Sequence, residues 1–301
     1  MDVELKSFDL NNNSTSIVFP KMTEKNLSTV AVIVPAYRNS FDSDEKISQR
    51  HLLHFLGKFD KHIIAPESLE IAVAGFKIRR FRDEFFRNTV TYSALLLSRE
   101  FYEAFSNYSF ILIYQLDALV FSDQLMEWCE AGWDYIGAPW IRSADADFVD
   151  APTVGNGGFS LRKVESFLRV IDSKHFDAEL QRYQGALSGE ETPRPSAARS
   201  LTIPERVGER IARLAGRGAA APTPGSSESS PFYGINEDYF WSFKAIKYWP
   251  DFKIAPVEDA LRFSFEVEPR RCYALNHFQL PFGCHAWNRY DRKFWEPFLL
   301  K

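Results

Sequence analysis

The apolar run Val30-Ala31-Val32-Ile33-Val34 is closed by Pro35 and reads as a buried strand. Behind Asp42 or Ser43 as N-cap, the residues Ile47, Leu52, Leu53, Phe55 and Leu56 form a helical stripe. His62 to Ala65, stopped by Pro66, predicts a second strand, and Phe76 to Phe81 a third. A helix is expected around Tyr92 to Phe105, carrying Leu95, Leu96, Phe101, Tyr102 and Phe105. The strongest strand, Phe110 to Tyr114, runs into Gln115-Leu116-Asp117 and an apolar Ala118 to Phe121. Further strands are expected at Trp133 to Ile136 and Gly158 to Leu161, and helices at Lys163 to Ile171 and Asn236 to Tyr248. Strands alternating with helices predict an α/β fold: a doubly wound mixed sheet with helices on both faces. Such sheets bind ligands beyond the carboxyl ends of their strands, so the residues just after each strand carry the most information.

The pattern lapses over residues 184–231. This stretch has no aromatic residue and contains the low-complexity run Ala219 to Ser227, as a linker does. It reads as an insertion in one domain spanning 28–301, preceded by a polar lead-in over 1–27. Within it, Pro204 to Leu214 can form an arginine-rich amphipathic helix, which leaves peripheral membrane contact open.

Elsewhere the chain is rich in rings. Aromatic residues make up 15% of its 301 residues, which excludes disorder over most of the length and predicts a heavy core or a ring-lined cleft. A net charge of −4 argues against a nucleic-acid partner. Cys129, Cys272 and Cys284 are odd in number without C-x-x-C spacing, so reduced thiols and a cytoplasmic protein are expected. No signal peptide is expected, nor any bilayer-spanning run of about 18 apolar residues.

Five segments carry candidate chemistry. Pro35-Ala36-Tyr37-Arg38 closes a strand with a ring for a base and a guanidinium for phosphate. Gln115-Leu116-Asp117 delivers a carboxylate to the ligand side of the sheet, where a metal-bridged diphosphate needs hard oxygen. Gly155-Asn156-Gly157-Gly158-Phe159-Ser160-Leu161-Arg162 allows close backbone approach but is neither a P-loop nor G-x-G-x-x-G. Asn236-Glu237-Asp238 places two carboxylates at a helix start. These neighbours point about 100° apart, so one can serve as a general base while the other makes a structural bond. His277 and His285 lie among rings near Pro281 and Gly283.

In this order the segments resemble a bacterial and viral branch of glycosyltransferases with the GT-A fold. The matching motifs are Gln115–Leu119, Tyr135–Trp140, Gly155–Arg162, Asn236–Phe240 and Phe282–Trp287. The resemblance implies transfer of a sugar from a nucleotide-sugar, a UDP-sugar favoured, to a hydroxyl of a glycan such as a surface polysaccharide. It places Pro35, Ala36 and Tyr37 beside the base. Arg38, Gln115, Asp117, Asn156, Gly157 and Gly158 complete the donor side. Asp117 and His285 are the implied metal ligands, with Mn²⁺ preferred over Mg²⁺ because imidazole suits it better. Gln115 stands where the family has its first carboxylate, so metal dependence stays open. Asp238 is the implied base of an inverting displacement and Glu237 the alternative; a retaining outcome stays open. Trp140, Phe159 and Trp287 offer rings to the acceptor. Arg79, Arg80 and Arg82 are further phosphate candidates. The implied location is the cytoplasm, including the inner face of the membrane. A non-catalytic nucleotide-sugar or glycan-binding protein on the same fold is the competing reading. A glycoside hydrolase fits poorly, because adjacent carboxylates cannot flank a bond.

Overall fold

A computed structural model describes residues 29–174, 176 and 236–300. The lead-in over 1–27 and the insertion over 184–231 lie outside the described residues. In chain order the strands are β1 (Val30–Pro35), β2 (Asp60–Pro66), β3 (Lys77–Phe81), β4 (Phe110–Tyr114), β5 (Leu119–Val120), β6 (Tyr135–Gly137), β7 (Pro139–Trp140), β8 (Thr153–Val154), β9 (Phe159–Lys163), β10 (Ser264–Phe265) and β11 (Gly283–Cys284). The helices are α1 (Ser43–Leu56), α2 (Thr89–Leu96), α3 (Arg99–Glu103), α4 (Leu125–Glu130), α5 (Val164–Ile171), α6 (Glu237–Phe243), α7 (Ala245–Tyr248), α8 (Val257–Phe263), α9 (Pro269–Leu275) and α10 (Arg292–Trp295).

Six strands form the central sheet in the order β3-β2-β1-β4-β9-β6. The first four are mutually parallel, and β9 runs antiparallel to both its neighbours, so the sheet is mixed. Because side chains alternate along a strand, β1 feeds two cores. Ala31 and Ile33 join Ile111, Ile113, Leu95, Phe101, Phe167 and Trp241 on one face. Val30, Val32 and Val34 join Leu112, Leu52, Leu56, Leu125 and Phe263 on the other. Helices therefore cover both faces, as the alternation predicts. Each of these aliphatic side chains contributes about 1.5–3 kcal/mol when buried, so a slip of one residue would be costly on both sides.

Two expected helices are divided. The stretch from Tyr92 to Phe105 breaks at Leu97, where the Ser98 hydroxyl accepts from the Phe101 amide at 3.2 Å and starts a new helix. The stretch from Asn236 to Tyr248 breaks at Lys244. Two small sheets sit beside the main one: β10-β11-β5 and the pair β7-β8. Pairing of β11 with β5 sets Cys284 opposite Leu119 and hence His285 near Asp117. All three cysteines are buried free thiols. Among the described residues no helix is long and apolar enough to cross a membrane.

Entry into α1 is held by a reciprocal cap. Asp42 accepts from the amides of Asp44 and Glu45, both at 2.9 Å, and its own amide donates to Glu45 at 2.9 Å. Asp42→Ala is expected to cost about 1–2 kcal/mol in urea unfolding; an unchanged midpoint would show that the cap is not limiting.

Candidate functional site

The parallel strands β1 and β4 end side by side, so Pro35 and Gln115 open onto one space. That space is a cavity of about 660 Å³, within the range of small-molecule sites. Pro35, Tyr37, Arg38, Gln115, Leu116 and Asp117 line it from the strand ends, while Asn88, Thr89 and Tyr92 close it from α2. Tyr37 is 65% exposed, with the Arg38 guanidinium 5.8 Å from its ring centre. Arg38 is engaged by Asp42 at 2.8 Å and Glu45 at 2.6 Å. Ala36 is buried, with its amide donating to the Ile64 carbonyl at 2.9 Å, and it does not line this cavity.

Behind Asp117, and lining neither this cavity nor the next, lies His285, whose ring is held from both nitrogens. Nδ1 lies 2.9 Å from Glu266 Oε1. Nε2 lies 3.1 Å from Gln115 Oε1 and 3.2 Å from Asp117 Oδ1. Burial alone would depress the imidazole, but the Asp117 and Glu266 carboxylates outweigh it and push it up to about 10. Burial would likewise raise Asp117; the His285 charge beside it wins and holds the carboxyl below its ordinary value.

The glycine loop presses against these side chains. A Cβ on Gly158 would fall 2.1 Å from His285 Nε2, and one on Gly157 would fall 2.1 Å from Glu237 Oε1. Both glycines therefore seat these side chains against backbone, and neither lines the cavity beside Asp117. Asn156 accepts from the Gly158 amide at 3.1 Å, closing the turn. The Gln115 amide donates to the Gly158 carbonyl at 2.9 Å, tying the loop to the end of β4.

A second cavity, about 240 Å³, shares Thr89 with the first in its wall. Its walls include Asp238, Asn156, Glu266, Trp140, Arg289 and Tyr290. The two carboxylates at the start of α6 part ways here. Glu237 turns inward and bonds Arg162 at 2.9 Å, whereas Asp238 faces the cavity. Burial, followed by the charges of Glu237 and Glu266, pushes Asp238 up to about 7.

Several sequence expectations need correction. Phe159 and Trp287 have no exposed surface and pack in the core, Phe159 against Tyr114 and Phe282, Trp287 in the cluster holding Leu119 and Trp295. A ring without surface has no face to offer an acceptor. Asn156 lines the second cavity and not the first. Arg79, Arg80 and Arg82 line neither; Arg80 donates to the carbonyls of Pro66 and Leu69, and Arg82 pairs with Glu84 at 2.6 Å. His277 is exposed at φ 54° and also lines neither.

Glu266, Tyr92, Arg162, Arg289 and Tyr290 belong to the site and were not singled out from sequence. Glu266 had a signal, a carboxylate inside the buried run Phe263 to Val267. Arg289 and Tyr290 follow His285 through a turn in which Ala286 takes φ 49° and accepts from both their amides at 3.0 Å.

Among the described residues, no group of three or more His, Cys, Asp and Glu side chains converges as a metal cage. The set at Asp117 nonetheless fits a more open site. Its carboxylate and amide oxygens lie 3.1–3.2 Å from His285 Nε2, about the spacing of neighbouring ligands around a small divalent cation. Glu266 on the far nitrogen is the carboxylate that a metal-binding histidine commonly carries.

The chain was compared with known proteins. Nothing among curated proteins matches. Similar solved structures include the galactosyltransferase LgtC in complex with donor and acceptor sugar analogs, 10% identical over 89% of this chain and 93% of that one, with a TM-score of 0.46. A glycosyltransferase involved in glycosylation of the major capsid of PBCV-1 is 9% identical over 89% and 98%, TM-score 0.40. The mannosyltransferase Ktr4p from S. cerevisiae is 10% identical over 51% and 59%, TM-score 0.36, so this chain spans less than two thirds of that protein. Residues 75–285 match the family described as "Protein of unknown function (DUF5672)", a stretch that holds Gln115, Asp117, the glycine loop, Asp238 and His285. The chain belongs to the DUF5672 family.

Proposed function

We propose that the protein is a GT-A-type glycosyltransferase that moves a sugar from a nucleotide-sugar, a UDP-sugar favoured, to a hydroxyl of a glycan acceptor. The observation that carries this reading is the pairing of two neighbouring cavities of unequal size that share Thr89 in their walls. The larger opens at the strand ends beside Asp117, and the smaller holds a carboxyl tuned to about 7. A reaction that joins two substrates needs such an arrangement, with the base on the acceptor side.

In this reading Tyr37 stacks on the base and Pro35 fixes the turn beneath it. The diphosphate lies towards Asp117. A divalent cation bound there, Mn²⁺ before Mg²⁺, supplies charge for the leaving group. Asp117 and, with Nε2 deprotonated, His285 would hold it, and Gln115 would add a neutral oxygen. Arg289 makes no ion pair among the described residues; it lines the second cavity and its charge acts on Asp117, so it also reaches towards the departing diphosphate. In the smaller cavity Tyr290 offers a ring to the acceptor, while Trp140, 6% exposed and stacked on Phe243, serves as wall. Asp238 takes the acceptor hydroxyl proton as that oxygen bonds to the anomeric carbon. The bond from this carbon to the diphosphate oxygen breaks in line, and its electron pair leaves with the diphosphate. The product is inverted at that carbon.

The neutral Gln115 favours a second reading, a nucleotide-sugar or glycan-binding protein without turnover. Calorimetry with UDP and Mn²⁺, combined with transfer assays over a panel of nucleotide-sugars, separates the two. Binding with turnover supports the enzyme, and binding without any turnover supports the alternative. Asp238→Asn is expected to lower turnover at least about 100-fold while leaving nucleotide affinity unchanged; full activity would remove Asp238 as the base.

The pH dependence has a definite sign. Asp238 must be ionised to accept a proton, and it ionises around 7. Turnover should rise with pH below about 7 and level off above it. A profile flat down to pH 5 would contradict this. A carboxyl raised in the folded state favours folding when protonated. That stability is complete below the unfolded carboxyl range and is lost as pH rises through about 7. Asp238→Asn should therefore gain thermal stability at pH 8 relative to the native chain.

A further inference from the structure

The guanidinium of Arg162 has no exposed surface and is shared among four elements. Nε donates to Ser160 at 3.0 Å and Nη1 to Tyr102 at 3.0 Å. Nη2 donates to the Gly157 carbonyl at 3.3 Å and to Glu237 at 2.9 Å. The rings of Tyr135 and Phe167 lie 5.8 and 5.6 Å from it. Few arginines are buried this completely, and one that is must be paired and hydrogen-bonded. Among the described residues its only carboxylate partner is the residue directly before Asp238.

The consequence is geometric. Asn236, at the N-cap of α6, makes no side-chain cap bond. The first turn of that helix is instead fastened to the sheet through Glu237 and Arg162. Gly157 makes this possible, since any side chain there would collide with Glu237. With Glu237 fixed inward, the helical rotation turns Asp238 towards the second cavity.

We propose that Arg162 is a positioning residue for Asp238, anchoring Glu237 so that the neighbouring carboxylate alone faces the acceptor. This rests on the reading of the site as a glycosyltransferase. Arg162 also neutralises Glu237, so one carboxylate is structural and the other is free to exchange a proton. The charges acting on Asp238 support this assignment. Glu237 and Glu266 raise its carboxyl, and Arg162 opposes them.

The test compares Glu237→Gln, Arg162→Met and the double variant Arg162→Met with Glu237→Met in the full chain. Asp238 is titrated by carboxyl ¹³C NMR, and donor turnover is measured in parallel. Glu237→Gln keeps the oxygen that Arg162 bonds but removes one negative charge. The Asp238 midpoint should fall by about one pH unit. Turnover at pH 8 should stay within about tenfold of the native chain. Arg162→Met leaves Glu237 buried and unpaired. Turnover should drop at least about 100-fold, with the donor KM changed less than about threefold, and the double variant should recover at least about tenfold. If Arg162→Met does not fold, Glu237→Gln and the double variant decide. An Asp238 midpoint unmoved in Glu237→Gln would overturn the proposal. So would a Glu237→Gln enzyme as inactive as Asp238→Asn, since Glu237 would then be the base. A fully active Asp238→Asn would instead remove the base assignment, while the NMR titration would still judge the link from Arg162 to Asp238.

Discussion

The site is organised around the capture of one imidazole. His285 is gripped by Glu266 on one nitrogen and faces Gln115 and Asp117 with the other. Each partner comes from a different part of the chain. Gln115 and Asp117 follow the central strand β4, Glu266 follows β10, and His285 follows β11. The grip therefore joins the main sheet to the small sheet behind it, and it works only because Gly158 has no side chain to push the ring away. A buried carboxylate left unpaired would be costly, so Glu266 depends on His285 as much as His285 depends on it.

A second buried charge pair divides the labour between adjacent acids. Arg162 holds Glu237 in the interior, and Asp238 is left on the cavity wall. The same glycine loop serves both clusters, with Gly157 against Glu237 and Gly158 against His285. This is a use of glycine beyond the expected close approach of ligand to backbone. The loop accommodates protein side chains, and those side chains form the site.

Much of the fold was legible in the sequence. Uninterrupted apolar strands such as Val30 to Val34 and Phe110 to Tyr114 are buried on both faces, and that composition marks them without help from context. Breaks inside helices were not legible, because the Ser98 and Lys244 interruptions depend on local capping and packing. The site was legible where a strand end delivered a residue, as with Asp117, or where a helix start paired two acids. Phe159 and Trp287 misled because sequence gives a ring's neighbours along the chain but not the side it faces. Glu266 and Arg289 were missed because they reach the site only through the pairing of β10 and β11 and a left-handed turn at Ala286.

The central claim is that Asp117 and His285 mark the diphosphate end of a nucleotide-sugar site. Anomalous diffraction from crystals soaked with UDP and Mn²⁺ tests it most directly. The account predicts one manganese peak within bonding distance of Asp117 Oδ1 and His285 Nε2, with the uracil ring over Tyr37. A nucleotide bound elsewhere, or manganese away from His285 while the ring keeps its contact with Asp117, would contradict it.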